Sequence, residues 1–100
     1  FNDHAAIATG FLNQLSALIA ARHRAMPEHS YTTSLFRDGT ARIAQKVGEE
    51  GVELALARMK NDMEETKNEA ADLLFHMMVL LEDAGLAFSD VVAVLQERHK

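Results

Sequence analysis

The sequence predicts an all-α protein, a bundle of four to five helices with a dimeric core. Its 100 residues include only one proline and five glycines, and helix-favouring alanine, leucine, methionine, glutamate and lysine are abundant. No stretch has the sustained alternation of apolar and polar residues that is typical of a half-buried strand. The length corresponds to a single domain, 1–100, in which a second subunit would help to cover apolar surface.

Capping and breaking residues predict where each helix begins and ends. The first helix begins after Asn2 or Asp3 as N-cap, ends before Pro27, and carries one apolar stripe. A hydroxyl-rich loop over 27–34 leads into a short helical turn that stops at Gly39. The stripe of the first helix consists of Ile7, Phe11, Leu15, Leu18 and Ile19.

Three more helices follow in the prediction. The second long helix begins after Thr40 as N-cap and runs to about Lys60, where Asn61–Asp62 breaks it. The third long helix extends to about Asp83 and stops at Gly85. Ser89 or Asp90 then caps a last, short helix.

Composition and charge disfavour several classes of function. A net charge of -5 disfavours nonspecific nucleic-acid and anionic-membrane binding, which need a basic face. The longest apolar run, 73–81, is interrupted by His76 and is too short to span a bilayer. The first residues lack the basic and apolar regions of a signal peptide, and there is no cysteine. We therefore expect a cytoplasmic protein.

Two acidic clusters at helical spacing are the main functional signal. Residues three and four apart share one face of a helix, so Glu50 with Glu53, and Glu69 with Asp72, can each direct carboxylates to one place. Mg²⁺ is typically held by one or two carboxylates while it keeps waters and binds substrate phosphates. The two clusters therefore predict a magnesium site.

Glu50 also falls within the apolar arc that Ile43, Val47 and Leu54 define on the second long helix. Because burial of an unpaired carboxylate is costly, this position requires a cation, a basic partner or a solvated cleft. A metal ion and a buried salt bridge to an arginine both meet that requirement, and helix geometry alone does not decide between them.

The acidic stripe of the third long helix has two interpretations. A run of charges is most often the solvated face of a mostly buried helix. Alternatively, Glu69 and Asp72 face the other acidic cluster across a helix pair and complete a four-carboxylate cage. The chain lacks the Glu-x-x-His motif of di-iron bundles, so we interpret His76 as a residue behind the ligands or at an interface. The stripe consists of Asp62, Glu65, Glu69, Asp72, His76 and Asp83.

A hydroxyl-rich segment with basic residues nearby is a candidate phosphate-binding site. Hydroxyls and free N–H groups at the start of a helix, together with positive charge, can hold a phosphate. The same residue types also serve as ordinary helix caps, so the signal is weak by itself. The candidate substrate-binding residues are Ser30, Tyr31, Thr32, Arg37, Arg42 and Lys46.

Three segments together resemble the phosphoribosyl-ATP pyrophosphatase family. They read SYT at 30–32, KVGEEGVE at 46–53 and EAADLLFH at 69–76. The acidic pattern resembles the signature of the all-α nucleotide pyrophosphohydrolases related to MazG proteins and dimeric dUTPases, and the flanking segments resemble the histidine-pathway member. The resemblance covers most of the chain and implies a MazG-like helical bundle.

This resemblance implies hydrolysis of phosphoribosyl-ATP to phosphoribosyl-AMP and pyrophosphate with Mg²⁺, the second step of histidine biosynthesis. Carried over by motif, Glu50, Glu53, Glu69 and Asp72 would be the metal ligands. Glu49, Glu50 and Glu53 would form the catalytic group, with Glu49 either a further ligand or the residue that orients water.

The resemblance leaves the context of the domain and two other functions open. In some bacteria the domain is fused behind a phosphoribosyl-AMP cyclohydrolase domain, and the 42–46 segment and the first residue, Phe1, resemble those fused forms. One alternative function is a housekeeping nucleoside triphosphate pyrophosphohydrolase that acts on a different base. The other is a non-enzymatic helical oligomerisation module, in which the acidic stripes would face solvent.

Overall fold

The computed structural model describes the backbone of residues 3–100 and the side chains from residue 10 onward. Within that part of the chain it contains five α-helices and no strand, which confirms the all-α prediction. No helix of residues 3–100 is long and apolar enough to cross a membrane. The helices are α1 (Asp3–Ala25), α2 (Tyr31–Asp38), α3 (Thr40–Met59), α4 (Met63–Asp83) and α5 (Phe88–Arg98).

A small apolar core joins the first four helices. Full burial of a Leu or Ile side chain contributes about 1.5–3 kcal/mol, so this cluster holds α1 and α2 against the α3–α4 pair. By contrast, α5 has no fully buried residue and contacts the core through Phe88. The core consists of Ile19 from α1, Leu35 from α2, Ile43 from α3, and Met78 and Val79 from α4.

The predicted apolar stripe of α1 is only partly correct. Ile19 is buried and Leu15 packs against the core, but Phe11 and Leu18 are exposed. Only part of the predicted stripe therefore faces the core. The predicted N-cap Asn2 and the side chain of Ile7 lie outside the described residues.

The loop predicted over 27–34 is too long, because α2 already begins at Tyr31. Ser30 is its N-cap, with an extended backbone and a hydroxyl that accepts a hydrogen bond from the Thr33 N–H at 3.2 Å. This cap supplies an acceptor for a helix N–H that has no partner within the helix. Ser30 therefore begins the helix where the sequence analysis placed a loop.

Two predicted caps are displaced by one to three residues. Gly39, and not Thr40, is the N-cap of α3, and its φ of 101° lies in the region that favours glycine. The Thr40 hydroxyl instead donates to Asp83 Oδ2 at 2.6 Å. The N-cap of α5 is Ala87, whose N–H donates to the Asp90 carboxylate at 2.8 Å, so Asp90 caps this helix from inside its first turn.

The α3–α4 connection sets the register of the two long helices. Asn61 has a φ of 59° and Asp62 is the N-cap of α4, accepting the Glu65 N–H at 3.0 Å, as the predicted helix break requires. So short a connection makes α3 and α4 an antiparallel hairpin. Their contact is the most extensive in the molecule, and it brings the two acidic segments opposite each other.

Candidate active site

The acidic residues of α3 and α4 meet on the facing surfaces of the helical hairpin. Glu50 is 6% exposed on α3, directly against His76 of α4. Asp72 and Glu53 are also close enough to affect the charge state of Glu50. The four predicted ligands therefore lie near one another.

Glu50 is buried as its position in the apolar arc predicts, on the same face of α3 as the fully buried Ile43. Burial raises the pKa of the Glu50 carboxyl, while the neighbouring His76 and Lys46 side chains oppose that rise. The basic neighbours of Glu50 are thus a histidine and a lysine, whereas the salt-bridge interpretation expected an arginine.

Glu69 and Glu53 make a direct carboxyl–carboxyl contact. A hydrogen bond to Glu53, together with burial and the nearby charges of Asp72 and Glu50, raises the pKa of Glu69 to about 7. Two carboxylates form such a hydrogen bond only if one of them holds a proton. Glu69 Oε2 is a buried atom without a hydrogen-bond donor.

The donor set of this cluster fits a hard divalent cation. Its oxygens come from carboxylates, which Mg²⁺ prefers, and negative charge exceeds the nearby positive charge. Glu50 and Glu69 are sheltered whereas Glu53 and Asp72 are exposed, so one side of the cluster is open to solvent. Within the described part of the chain, no three acidic or histidine side chains converge in metal-ligand geometry.

Glu49 lies apart from the other carboxylates. Its side chain is exposed, accepts a hydrogen bond from Gln45 Nε2 at 3.0 Å, and lies 4.0 Å from Lys46 Nζ. Lys46 also influences Glu50, so this lysine connects Glu49 with the main cluster. The position of Glu49 suits a group at the rim of the site better than one inside it.

The predicted substrate-binding hydroxyls are largely engaged within the protein. Ser30 Oγ caps α2 and accepts a hydrogen bond from Arg22 Nη1 at 3.2 Å, and Thr32 is buried. The Tyr31 hydroxyl lies 2.7 Å from His76 Nε2. The segment therefore supports the carboxylate cluster structurally, through Tyr31.

The three basic candidates occupy different environments. Lys46 is beside the carboxylates, with its side chain only 23% exposed. Arg37 ends α2 and Arg42 lies in the first turns of α3, and both are exposed. Among the described residues, no hydrogen bond or ion pair links either arginine to the carboxylates. Of the three, the structure brings only Lys46 into the cluster.

The contacts of His76 were not predicted from the sequence. Its Nδ1 lies 2.6 Å from Glu50 Oε1 and 2.8 Å from the backbone carbonyl of Asp72, while its Nε2 meets Tyr31. The four-residue spacing of Asp72 and His76 signals a shared helix face. No local pattern could reveal Tyr31, which is 45 residues away in the sequence.

The five-helix all-α bundle, with a half-buried carboxylate cluster on its helical hairpin, is consistent with the MazG-like class of proteins that the sequence predicts. The chain belongs to the phosphoribosyl-ATP pyrophosphohydrolase family, whose pattern matches residues 12–99. The matched range includes α2 to α5, the part of α1 from residue 12 onward and both acidic segments, so the family resemblance expected from the three sequence segments is confirmed.

Bifunctional histidine-biosynthesis proteins are similar to this chain over 90% of its length. The proteins named histidine biosynthesis bifunctional protein HisIE are 59% identical in Shewanella oneidensis, 58% in Yersinia pestis and 60% in Campylobacter jejuni, each over 90 residues. The matched part is 43% of the Shewanella protein and 44% of the other two. The chain thus spans less than half the length of these relatives.

Proposed function

We propose that this chain hydrolyses phosphoribosyl-ATP to phosphoribosyl-AMP and pyrophosphate in histidine biosynthesis, with Mg²⁺ as its cofactor. The observation that carries the proposal is the carboxylate cluster of the α3–α4 hairpin. In this cluster Glu50 is buried, and the pKa of Glu69 is raised to about 7. Such charge crowding is costly unless the cluster binds a cation. The family match and the names of the relatives support the choice of substrate.

In this proposal Glu50, Glu53, Glu69 and Asp72 hold the ion. Bound there, Mg²⁺ supplies charge neutralisation for the triphosphate and for the leaving pyrophosphate. The shared proton of Glu53 and Glu69 must leave for both carboxylates to act as ligands. The two exposed carboxylates, on the open side of the cluster, would be nearest to the substrate.

The remaining residues orient the reactants. In the hydrolysis, the oxygen of water bonds to one phosphorus of the α–β anhydride, and the anhydride P–O bond breaks so that pyrophosphate leaves. A base accepts the proton that the water loses. Glu49 accepts that proton in the proposal, because it lies at the exposed rim with its carboxylate fixed by Gln45. Lys46 binds the distal phosphates, and Arg37 and Arg42 supply positive charge from the adjoining surface.

Pyrophosphate release from phosphoribosyl-ATP tests the function directly. With Mg²⁺ present, the chain should release pyrophosphate in step with phosphoribosyl-AMP, and excess EDTA should stop the reaction. Mg²⁺ added back should restore it. Absence of hydrolysis under these conditions would refute the proposed substrate.

Comparison of substrates distinguishes the proposed function from that of a housekeeping nucleotide pyrophosphohydrolase. The acidic cluster alone suits any nucleoside triphosphate, because it recognises phosphates and metal and not the base. We expect kcat/KM for phosphoribosyl-ATP to exceed that for dUTP and ATP. An oligomerisation module without activity would hydrolyse none of them, and calorimetry with Mg²⁺ and a nonhydrolysable triphosphate would register no binding.

A homodimer is also part of the proposal. Val52, Leu56 and Met59 are exposed at spacings that place them on one face of α3, and Met63 is exposed at the start of α4. Contiguous exposed apolar surface is typical of an interface between subunits. Light scattering should therefore give the mass of two chains, and Leu56→Glu should reduce it to that of one.

The relatives' names support a larger context for the domain. Because these bifunctional proteins are more than twice as long as the matched region, we propose that this chain is the pyrophosphohydrolase portion of such a protein, joined to a phosphoribosyl-AMP cyclohydrolase domain. The proposed product is then the substrate of the fused partner. A cytoplasmic location follows from this biosynthetic role, and cell fractionation with an antibody against the chain would test it.

A further inference from the structure

Tyr31 combines an exposed ring with a hydroxyl that contacts a buried residue. The side chain is 53% exposed at the first position of α2, yet its hydroxyl lies 2.7 Å from Nε2 of His76, which is 5% exposed. The ring also lies edge-on to the imidazole, with the centroids 5.7 Å apart. The hydroxyl is therefore committed to His76 and is not free to bind a phosphate.

The protonation of the His76 ring follows from its neighbours. Nδ1 faces the backbone carbonyl of Asp72 at 2.8 Å, and a carbonyl oxygen can only accept a hydrogen bond. Nδ1 must therefore carry the proton. In the neutral ring Nε2 is then the acceptor, and the Tyr31 hydroxyl is the donor.

The same Nδ1–H group faces Glu50. Glu50 Oε1 is 2.6 Å from Nδ1, but the N–H is directed at the Asp72 carbonyl, so this oxygen has a close positive dipole without a well-aligned hydrogen bond. Tyr31 fixes the other end of the ring and prevents it from rotating. Removal of the hydroxyl would leave the imidazole held by the Asp72 carbonyl alone, and its contact with the Glu50 carboxylate would loosen.

We propose that Tyr31 is a positioning residue that acts through His76 to hold the Glu50 carboxylate, and that it does not contact the substrate phosphates. With Oε1 held against the imidazole, Oε2 is the oxygen of Glu50 left to bind a cation. This inference rests on the proposed function, because it assigns Glu50 to the metal. It links α2, α3 and α4, each of which supplies one member of the chain Tyr31–His76–Glu50.

The test compares Tyr31→Phe with Ser34→Ala. Both variants remove one hydroxyl from α2, but Ser34 Oγ donates to the Tyr31 carbonyl within the helix and has no part in the site. Mn²⁺ binding is measured by calorimetry without substrate. Loss of a direct hydrogen-bond partner of a metal ligand typically lowers metal affinity by about 10- to 100-fold. Tyr31 lies one contact further out, so Tyr31→Phe should weaken Mn²⁺ binding by an amount at the lower end of that range, about tenfold. Ser34→Ala should bind as the parent does.

Nitrogen NMR of the metal-free protein tests the contact independently of activity. The parent should give one protonated Nδ1 and one hydrogen-bonded acceptor Nε2 for His76. In Tyr31→Phe the Nε2 resonance should move towards that of a free acceptor. An unchanged resonance would overturn the hydrogen-bond assignment, even if phosphoribosyl-ATP proved not to be the substrate.

Kinetics separate positioning from substrate contact. If hydrolysis is observed, a rise in KM for phosphoribosyl-ATP in Tyr31→Phe with unchanged Mn²⁺ affinity would overturn the inference and make Tyr31 a substrate contact. Weakened Mn²⁺ binding together with the shifted Nε2 resonance would support it. If the parent hydrolyses no phosphoribosyl-ATP, the proposed function fails while the metal-binding and NMR measurements still decide the role of Tyr31.

Discussion

Two histidine–carboxylate pairs in this molecule have nearly the same geometry and opposite surroundings. His76 lies 2.6 Å from Glu50 with both side chains at most 7% exposed, whereas His23 lies 2.7 Å from Glu82 with exposures of 40% and 26%. The outer pair, His23–Glu82, joins α1 to α4, and the ring of His23 stacks on that of Phe36 with the centroids 4.1 Å apart. Both pairs therefore have a short nitrogen–oxygen distance, and they differ only in their surroundings.

The difference lies in what else each pair contacts. Water screens the outer pair, and exposed ion pairs typically contribute about 0–1 kcal/mol. The inner pair, His76–Glu50, is surrounded by further carboxylates, and its histidine contacts the Tyr31 hydroxyl. Water therefore cannot replace these contacts as it can at the outer pair. Under the proposed function, the inner pair would belong to the metal site, while the outer pair contributes only to the contact between α1 and α4.

Glu50→Gln should give the largest effect. The amide keeps the size of the side chain but removes the charge that a metal ion requires, and metal catalysis typically supplies several kcal/mol, so hydrolysis should fall by roughly 100- to 1,000-fold. Circular dichroism should still report a helical protein. The matched control is Glu82→Gln, the same change in the other pair, which should retain parental turnover; equal losses in both variants would contradict the comparison.

Asp72→Asn should reduce turnover by roughly a hundredfold. The substitution removes a proposed metal ligand but leaves the backbone carbonyl that accepts the His76 Nδ1–H. The NMR spectrum of His76 should therefore be unchanged while hydrolysis and Mn²⁺ binding are lost. Wild-type turnover would refute the assignment of Asp72 as a ligand.

Glu69 should make the metal-free protein less stable as pH rises. Its folded pKa is about 7 and its ordinary value is 4.5, so the folded state holds the proton more tightly than the unfolded state does. The stability gained from this proton is fully present below the ordinary pKa and is lost as pH rises to about 7. The Gln side chain in Glu69→Gln cannot lose a proton, so the stability of this variant should not show this part of the decline with rising pH.

Thermal melts in EDTA between about pH 5 and about pH 8 would measure this effect. The Tm of Glu69→Gln minus that of the parent should increase with pH up to about 7 and then stay constant. Saturating Mg²⁺ should stabilise the parent most at the upper end of the range, where the carboxylates are ionised. Parallel profiles for the two proteins in EDTA would show that Glu69 does not hold the proton.

Glu82→Gln should have the smallest effect. It removes the charge that faces His23, and the loss in unfolding free energy should be about 0.2–1 kcal/mol, as for other partly exposed pairs. Denaturant unfolding would measure it, and added salt should reduce the difference between variant and parent. A loss of several kcal/mol would mean that the outer pair is not the weaker one.

The sequence predicted the helical hairpin and its acidic surface because both depend on local periodicity. The burial of Glu50 followed from the spacing of Ile43, Val47 and Leu54 alone. The break at Asn61–Asp62 was equally local, since a capping side chain acts within one turn. Within the candidate site, the neighbouring positions of Glu69 and Asp72 followed from the same periodicity.

Features that depend on other helices were not predictable in this way. Phe11 and Leu18 share the stripe of Ile19, but whether a stripe residue is covered depends on the width of the helix pair beneath it. The identity of the basic partner of Glu50 likewise required tertiary structure, because His76 is on a different helix. The contact between Tyr31 and His76 could not be predicted for the same reason.

The position of Gly39 between α2 and α3 limits where residues can be inserted into this chain or deleted from it. Its N–H donates to Leu35 O at the end of α2, and its carbonyl accepts the Ile43 N–H at the start of α3, so one residue serves both helices. An inserted residue here would turn one helix by about 100° relative to the other. Tyr31 would then lose its place over His76, so we expect insertions and deletions in homologous chains to avoid this junction.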